Sequence, residues 1–395
     1  MSINNAFAMF MLVLIVLMGC SRNDQKGADH DAYRQIKEEL EKIVLKDKNL
    51  KHALLLVHSD KYDFHWKFAF GTTGTEHTPI TSDNRYHIAS IGKTFTSAVI
   101  SKLYERGEIN YDDPISRYLS PEMLENLFVY KGIDYSNEVL VRHLLNHTSG
   151  IADYWEDKPI KGKSIKELVI EEPERFWKPE DTIDHTRYNQ KAVSSPGKKF
   201  HYSDTGYNLL GKIIEEITQK SFHENLQTEI FNPLGMDNSY LLYRSEPNKK
   251  SPYPILDTYI GKYEVSGFKS ISVDWAGGGI VTTTEDLLLF HKALVNNTLI
   301  KKETFELCSK DVARFGFGMG YGYGILFLNI GKMMIFQPEE LNMWGNFGSI
   351  AAYMFYNPAY DVYIIGSFNH SNYIRRQVRF IIYVIRTIHK MLNMR

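Results

Sequence analysis

In the segment HIASIGKTFTSAV, residues 87 to 99, Ser90 stands three positions ahead of Lys93 at the head of an apolar, helix-patterned stretch. Residues i and i+3 of a helix are surface neighbours, so the spacing sets a hydroxyl beside a primary amine. A serine is a poor nucleophile until a base takes its proton, and a lysine is that base only when burial or a nearby cation lowers its pKa. The apolar neighbours Ile88, Ile91 and Phe95 are suited to such desolvation. The same SxxK pattern occurs at Ser195 (SPGK) and Ser266 (SGFK), both beside proline or glycine in turn-prone segments where i+3 geometry is not assured. Ser90 alone leads a periodic helix. On these residues by themselves a plainer reading stays open: a capping serine and a solvated lysine.

Other patterns point away from further chemistry. His143 and His147 have the i, i+4 spacing of a zinc pair, but Leu144 stands where HExxH needs its glutamate, so no metal is expected. Glycines at 316, 318, 320, 322 and 324 alternate along FGFGMGYGYGILF, which reads as one strand with a bare face; the run lacks GxGxxG spacing, and no cofactor is expected. Lys and Arg (46) nearly cancel Asp and Glu (47), so the chain has no basic field for a nucleic-acid partner.

The elements that must position Ser90 and Lys93 fall into two groups. Residues 32 to 45 have helical spacing, and KHALLLVHSD and YDFHWKFAFG read as strands joined at Ser59-Asp60-Lys61. The helix that starts near Ser90 ends at YERGEIN, where Gly107 suits a left-handed cap. Late in the chain SIAAYMFYNPAYDVYIIGSF reads as a hairpin turning at Asn357-Pro358, followed by an amphipathic helix over 373–392. The intervening residues are rich in proline and in helical and irregular pieces. The expectation is an α+β fold: an antiparallel sheet flanked by helices (31–107 and 276–395) holding an inserted, mostly helical lobe (108–275). The cleft belongs at the join.

Seven further segments follow in order: DDPISRYLS (112–120), VRHLLNHTSGI (141–151), SSPGKKFHYSDTGYNLLGKIIEEIT (194–218), FNPLGMDNSYL (231–241), WAGGGIVTTTEDLLLF (275–290), YGYGILF (321–327) and MWGNFGSIAAY (343–353). With the Ser90 segment they resemble the serine hydrolase family of class C β-lactamases, low-molecular-weight D-alanyl-D-alanine peptidases and related esterases, over roughly residues 35 to 392. The resemblance implies that Ser90 is the acylated nucleophile, that Lys93 keeps a phenol acidic, and that Tyr202 shuttles a proton between Ser90 and the leaving group. Tyr111 (YDD) and Tyr135 (YSN) also fit the family's Tyr-x-Asn, but only Tyr202 follows HTSG and a Pro-Gly and precedes a helix.

Two positions depart from the family pattern. Asp204 stands where relatives carry asparagine; an ionised carboxylate only accepts hydrogen bonds and favours a charged lysine, which leaves tyrosine as the main base. Gly345-Asn346-Phe347-Gly348 stands where relatives read Gly-His/Lys-Thr-Gly, so Asn346 replaces the cation that helps hold a substrate carboxylate. By the same resemblance, Asp204, Asn346, Gly348 and Ser349 line the substrate, and the N–H groups of Ser90 and Ser349 form the oxyanion hole. HTSG is architectural in relatives.

The N-terminus carries an uncharged apolar run, AFAMFMLVLIVLM, too short to span a bilayer, followed by LMGC and a polar linker. It resembles a bacterial lipoprotein signal: residues 1–19 removed, Cys20 lipidated, 20–30 a linker, and the protein tethered to a membrane of the cell envelope. Cys308 is then alone, without a disulfide partner. The expected function is hydrolysis of an ester or amide, peptide or cell-wall-like, through a Ser90 acyl-enzyme. The rival expectations are a catalytically weak binding protein of the same fold and a β-lactamase.

Overall fold

A computed structural model describes residues 29–334 and 337–394. The segment expected to be a signal, Cys20 and the residues up to 28 lie outside the described residues. Helix α1 (29–46) buries Ala32, Ile36, Leu40 and Val44, four residues apart, as one apolar stripe. Strands β1 (His52–Ser59) and β2 (Phe64–Thr73) follow as a hairpin, and β3 (Thr78–Pro79) pairs with the end of β2. Helices α2 (Gly92–Glu105), α3 (Asp204–Thr218) and α4 (Thr284–Val295) come next. The remaining strands are β4 (Ala313–Gly316), β5 (Met319–Tyr321), β6 (Leu326–Leu328), β7 (Met343–Phe347), β8 (Ala352–Asn357) and β9 (Val362–Ser367), and α5 (Ile374–Asn393) comes last.

These nine strands form one sheet in the order β4-β5-β6-β7-β8-β9-β1-β2-β3, with antiparallel pairing throughout. The first and last parts of the chain meet where β1 pairs with β9, Leu55 opposite Gly366. Side chains alternate across the sheet. Leu54, Leu56, Met354 and Ile365 pack with Phe95 of α2 and Phe290 of α4, while Leu55, Phe355 and Ile364 pack with Leu40 of α1 and Ile385 of α5. Helix α2 is buried on nearly every side, from Gly92 to Ser101, because it runs between the sheet and the segment 108–275.

The α+β expectation therefore describes the molecule. The segment 108–275 is mostly helical and irregular, and one apolar core joins its Leu145, Leu210 and Leu226 to Phe95 and Ile365. It also supplies the short strand Tyr240–Leu241, which pairs with Ile280–Thr282, itself paired to Tyr86–His87 just ahead of Ser90.

The glycine run is a correction. It is not one strand: β4 ends at Gly316, the chain turns at Phe317-Gly318, and β5 begins at Met319. Gly318 at φ 68° and Gly324 at φ 70° take left-handed conformations that reverse the chain, so the alternation was counted across turns. Among the described residues no helix is long and apolar enough to cross a membrane.

Candidate active site

Ser90 sits in a short 3-10 turn, Ala89–Ile91, that runs straight into α2 at Gly92. Ala89 holds φ at 45°, a left-handed conformation that costs an L-residue about 1–3 kcal/mol and persists only where surroundings enforce it. Two glycines enforce it here. A Cβ on Gly278 would lie 2.4 Å from the Ala89 carbonyl carbon, and one on Gly348 would lie 2.5 Å from the Ile88 oxygen. Only bare backbone fits on either side of the turn. Gly348 thus supports the nucleophile from behind.

One turn further on, the Lys93 side chain is fully buried. Its ammonium donates to Ser90 Oγ at 3.2 Å and to the Gly277 carbonyl at 2.8 Å, and forms an ion pair with Asp204. Burial by itself pushes the amine pKa down; Asp204, then Asp274 and Tyr321, outweigh it, and the net shift is upward. Lys93 is an ammonium at neutral pH.

Tyr202 precedes α3, whose first turn is capped by Ser203: its hydroxyl accepts from the Gly206 N–H at 3.2 Å and donates to the Ala152 carbonyl at 2.8 Å. The HTSG loop holds this approach. Gly197 N–H bonds Thr148 O, His201 N–H bonds His147 O and Val193 N–H bonds Gly150 O, each at 2.8 Å. His147 Nδ1 accepts from the Ser203 N–H at 3.1 Å, and its ring lies 4.2 Å from that of Tyr202. Burial, then the Lys93 charge, keeps His147 neutral. The Tyr202 ring faces Lys93, with Nζ 5.0 Å from its centre. Burial, then Asp204 and Tyr321, drive the phenol pKa well upward, opposed by a hydrogen bond with the Ser90 hydroxyl. The phenol is therefore neutral. Tyr111 is buried against Ser101, and neither it nor Tyr135 lines the cleft.

Three carboxylates surround the amine, and two escaped the sequence reading. Asp153 accepts from the N–H groups of Trp155 (3.1 Å), Glu156 (3.2 Å) and Asp204 (3.0 Å), tying the loop after HTSG to the start of α3. Burial, then repulsion from Asp204, raise its pKa well above the usual carboxylate range. Asp274 faces the cleft; burial raises it, Lys93 lowers it and Asp204 raises it again, to about 7. Its position just ahead of WAGGG was the available signal. Nothing local set Asp153 apart from a turn aspartate.

Asn346, on β7, is almost wholly buried. Its Nδ2 donates to Thr94 Oγ1 and Gly324 O, each at 3.2 Å, and its Oδ1 accepts from the Phe347 N–H at 2.9 Å. The amide ties β7 to α2 and to the loop before β6, and both of its ends are engaged within the protein. Ser349 lines the cleft, and among the described residues its N–H has no backbone acceptor.

Ser90, Tyr202, Asp204 and Asp274 open onto a cleft of about 320 Å³ walled by Tyr154, Trp155, Phe315, Phe347 and Ile350 among others. Among the described residues its lining holds no Lys or Arg. No cluster of metal-ligating side chains occurs among the described residues. Cys308 is buried and free, in contact with Ser101 and Tyr111.

A serine, a buried ammonium and a phenol gathered beside strand β7 of such a sheet define the β-lactamase-like class of serine hydrolases. The Beta-lactamase family model matches residues 52–379, and the chain belongs to that family. It is similar to penicillin-binding protein 4* of Bacillus subtilis (28% identical over 262 residues, 62% of this chain and 52% of that protein). It is also similar to the human mitochondrial serine beta-lactamase-like protein LACTB (27% over 287 residues, 58% and 51%). The chain spans about half the length of these curated relatives. Among solved structures, the octameric penicillin-binding protein homologue of Pyrococcus abyssi superposes with a TM-score of 0.70 at 25% identity, covering 89% of this chain and 77% of that one. The D-amino acid amidase of Ochrobactrum anthropi superposes at 0.71 and 19% identity over 91% and 99%, a likeness of fold.

Proposed function

We propose that this chain hydrolyses an ester or amide through a Ser90 acyl-enzyme, and that a lipid on Cys20 tethers it to a membrane of the bacterial cell envelope. The observation that carries the catalytic reading is the meeting of Ser90 Oγ and the Tyr202 phenol at one wall of an aromatic cleft, with the Lys93 ammonium buried directly behind them.

The resting protonation states shape the mechanism. With Lys93 charged and Tyr202 neutral, no free base waits beside Ser90. Tyr202 acts instead as a two-way relay. Its oxygen takes the Ser90 proton while its own phenolic proton passes to the leaving oxygen or nitrogen, so the O–H bonds made and broken balance without a tyrosinate. The Lys93 ammonium, 3.2 Å from Oγ, stabilises the negative charge that builds there. The N–H groups of Ser90 and Ser349 receive the carbonyl oxygen. Water then repeats the relay to release the acid.

The cleft also supports a substrate preference. A carboxylate beside the scissile bond meets Asp204, Asp274 and Glu156 and no lining cation. An uncharged or amine-bearing substrate with an apolar acyl group suits these walls better, and β-lactams suit them poorly. Incubation with a fluorophosphonate probe tests the reading: wild type labels and Ser90→Ala does not. Equal labelling of both, or of neither, refutes it.

A further inference from the structure

Helix α5 carries Arg375, Arg376, Arg379, Arg386 and Lys390, and residues 374–394 contain no Asp or Glu. At 100° per residue, Arg375, Arg379, Arg386 and Lys390 share one stripe about 60° wide. Arg375, Arg379 and Lys390 are exposed and Arg386 is half-buried, while Phe380, Ile381, Ile385 and Ile388 face the sheet. Among the described residues only Arg376 of these five has an ion-pair partner, Asp47 at 3.2 Å.

Local helix physics opposes this pattern. Arg375 with Arg379, and Arg386 with Lys390, are like charges at i, i+4, which destabilise a helix. Arg375 and Arg376 also stand at its positive, N-terminal end. Helix α1 runs antiparallel beside α5: Arg376 meets Asp47, and the Tyr383 hydroxyl donates to Gln35 O at 3.3 Å. Between them lies a groove of about 400 Å³ where Ile43, Phe380 and Tyr383 meet the cations Lys46 and Arg379. Its one acid, Glu39, is paired with Lys42 at 3.0 Å.

We propose that the α5 stripe and this groove dock the protein on a membrane surface of anionic phospholipid, headgroup phosphates taking the cations. A straight cationic stripe about 20 Å long matches a flat anionic surface. The choice of membrane over nucleic acid rests on the tether proposed above. Residue 29, where the described chain begins, is nine positions after Cys20, a reach of at most about 30 Å. The antiparallel course of α1 sets that end towards Lys390. A basic face beside such a tether would lie against the headgroups of the same membrane.

The test uses the mature chain from residue 20 carrying Cys20→Ser, which has neither the lipid nor the apolar run 6–18, in sedimentation with phosphatidylglycerol/phosphatidylcholine vesicles. Binding is expected with phosphatidylglycerol, absent with phosphatidylcholine alone, and lost at about 0.5 M salt. Replacing Arg375, Arg379, Arg386 and Lys390 together by Gln is expected to weaken it at least ~10-fold while fluorophosphonate labelling of Ser90 is retained. Should that variant misfold, Arg379→Gln and Lys390→Gln singly are each expected to weaken binding several-fold. No binding by the Cys20→Ser chain, binding untouched by the Gln substitutions, or tighter binding to duplex oligonucleotide overturns the proposal. Ser90→Ala binds vesicles like wild type, so failure of the hydrolase reading shows separately. A Cys20 found without lipid while vesicle binding persists removes the tether and leaves the docking face.

Discussion

The Lys93 ammonium and the Asp204 carboxylate form an ion pair inside the protein, with side chains 0% and 8% exposed. An asparagine at this position, as the family pattern has it, would bring no such counter-charge. Here the pair sets the amine's protonation before any substrate arrives, and in the mechanism proposed above the work of proton transfer falls to Tyr202.

Asp204→Asn removes the carboxylate and leaves a buried cation with Asp274 and the Gly277 carbonyl. A loss of about 3 kcal/mol at pH 7 is expected, as for other buried pairs deprived of one partner. With its main counter-charge gone, burial depresses the folded-state pKa of Lys93 below the unfolded value. The unfolded chain then binds more protons, so the penalty shrinks as pH rises. Urea unfolding at pH 7 and pH 9.5 measures both effects.

Tyr202→Phe keeps the ring against His147 and deletes the relay. Acylation is expected to slow by about 10²–10⁴-fold with little change in KM. Stopped-flow acylation with a p-nitrophenyl ester separates the two; a fall of less than ten-fold would assign the relay elsewhere.

Asp274, raised to about 7 from an ordinary 3.8, is protonated in the folded protein across the interval where the unfolded chain is ionised. The folded state therefore holds the extra proton, and this group's contribution to stability falls as pH rises from about 4 to 7. Above 7 its charge also opposes the anion forming at Ser90. In wild type the stability should decline from about pH 4 to 7 and the kcat/KM for a neutral ester should decline as pH rises through about 7, and Asp274→Asn should flatten both curves.

Gly348→Ala pushes a methyl group into Ile88 O and the Ala89 Cβ, 2.5 and 2.9 Å away. Overpacking of this kind costs about 1–3 kcal/mol, and because it displaces the Ser90 turn, probe labelling should slow at least ~10-fold. Gly107→Ala is the comparator: φ is 74° with open space around the Cβ, so stability drops and labelling does not.

Much of this was legible in the residues themselves. The helical period of α1 and α5 and the short apolar runs of β1 and β9, buried on both faces, mark their elements locally, and the order of short motifs around Ser90 and Tyr202 marked the family. The glycine run misled because alternation does not register a turn unless the turn residue's φ is known. Asp153 and Asp274 escaped because a buried carboxylate and a solvated one are written with the same letter.

Sequence alone pointed to Ser90, Lys93 and Tyr202 and to the longer helices and strands, since those depend on residue type and local period. Folding decided the charge on Lys93, the neutrality of Tyr202 and the engagement of Asn346. Those depend on distances between residues up to some 250 positions apart, Thr94 and Asn346 among them, and on how little water reaches them.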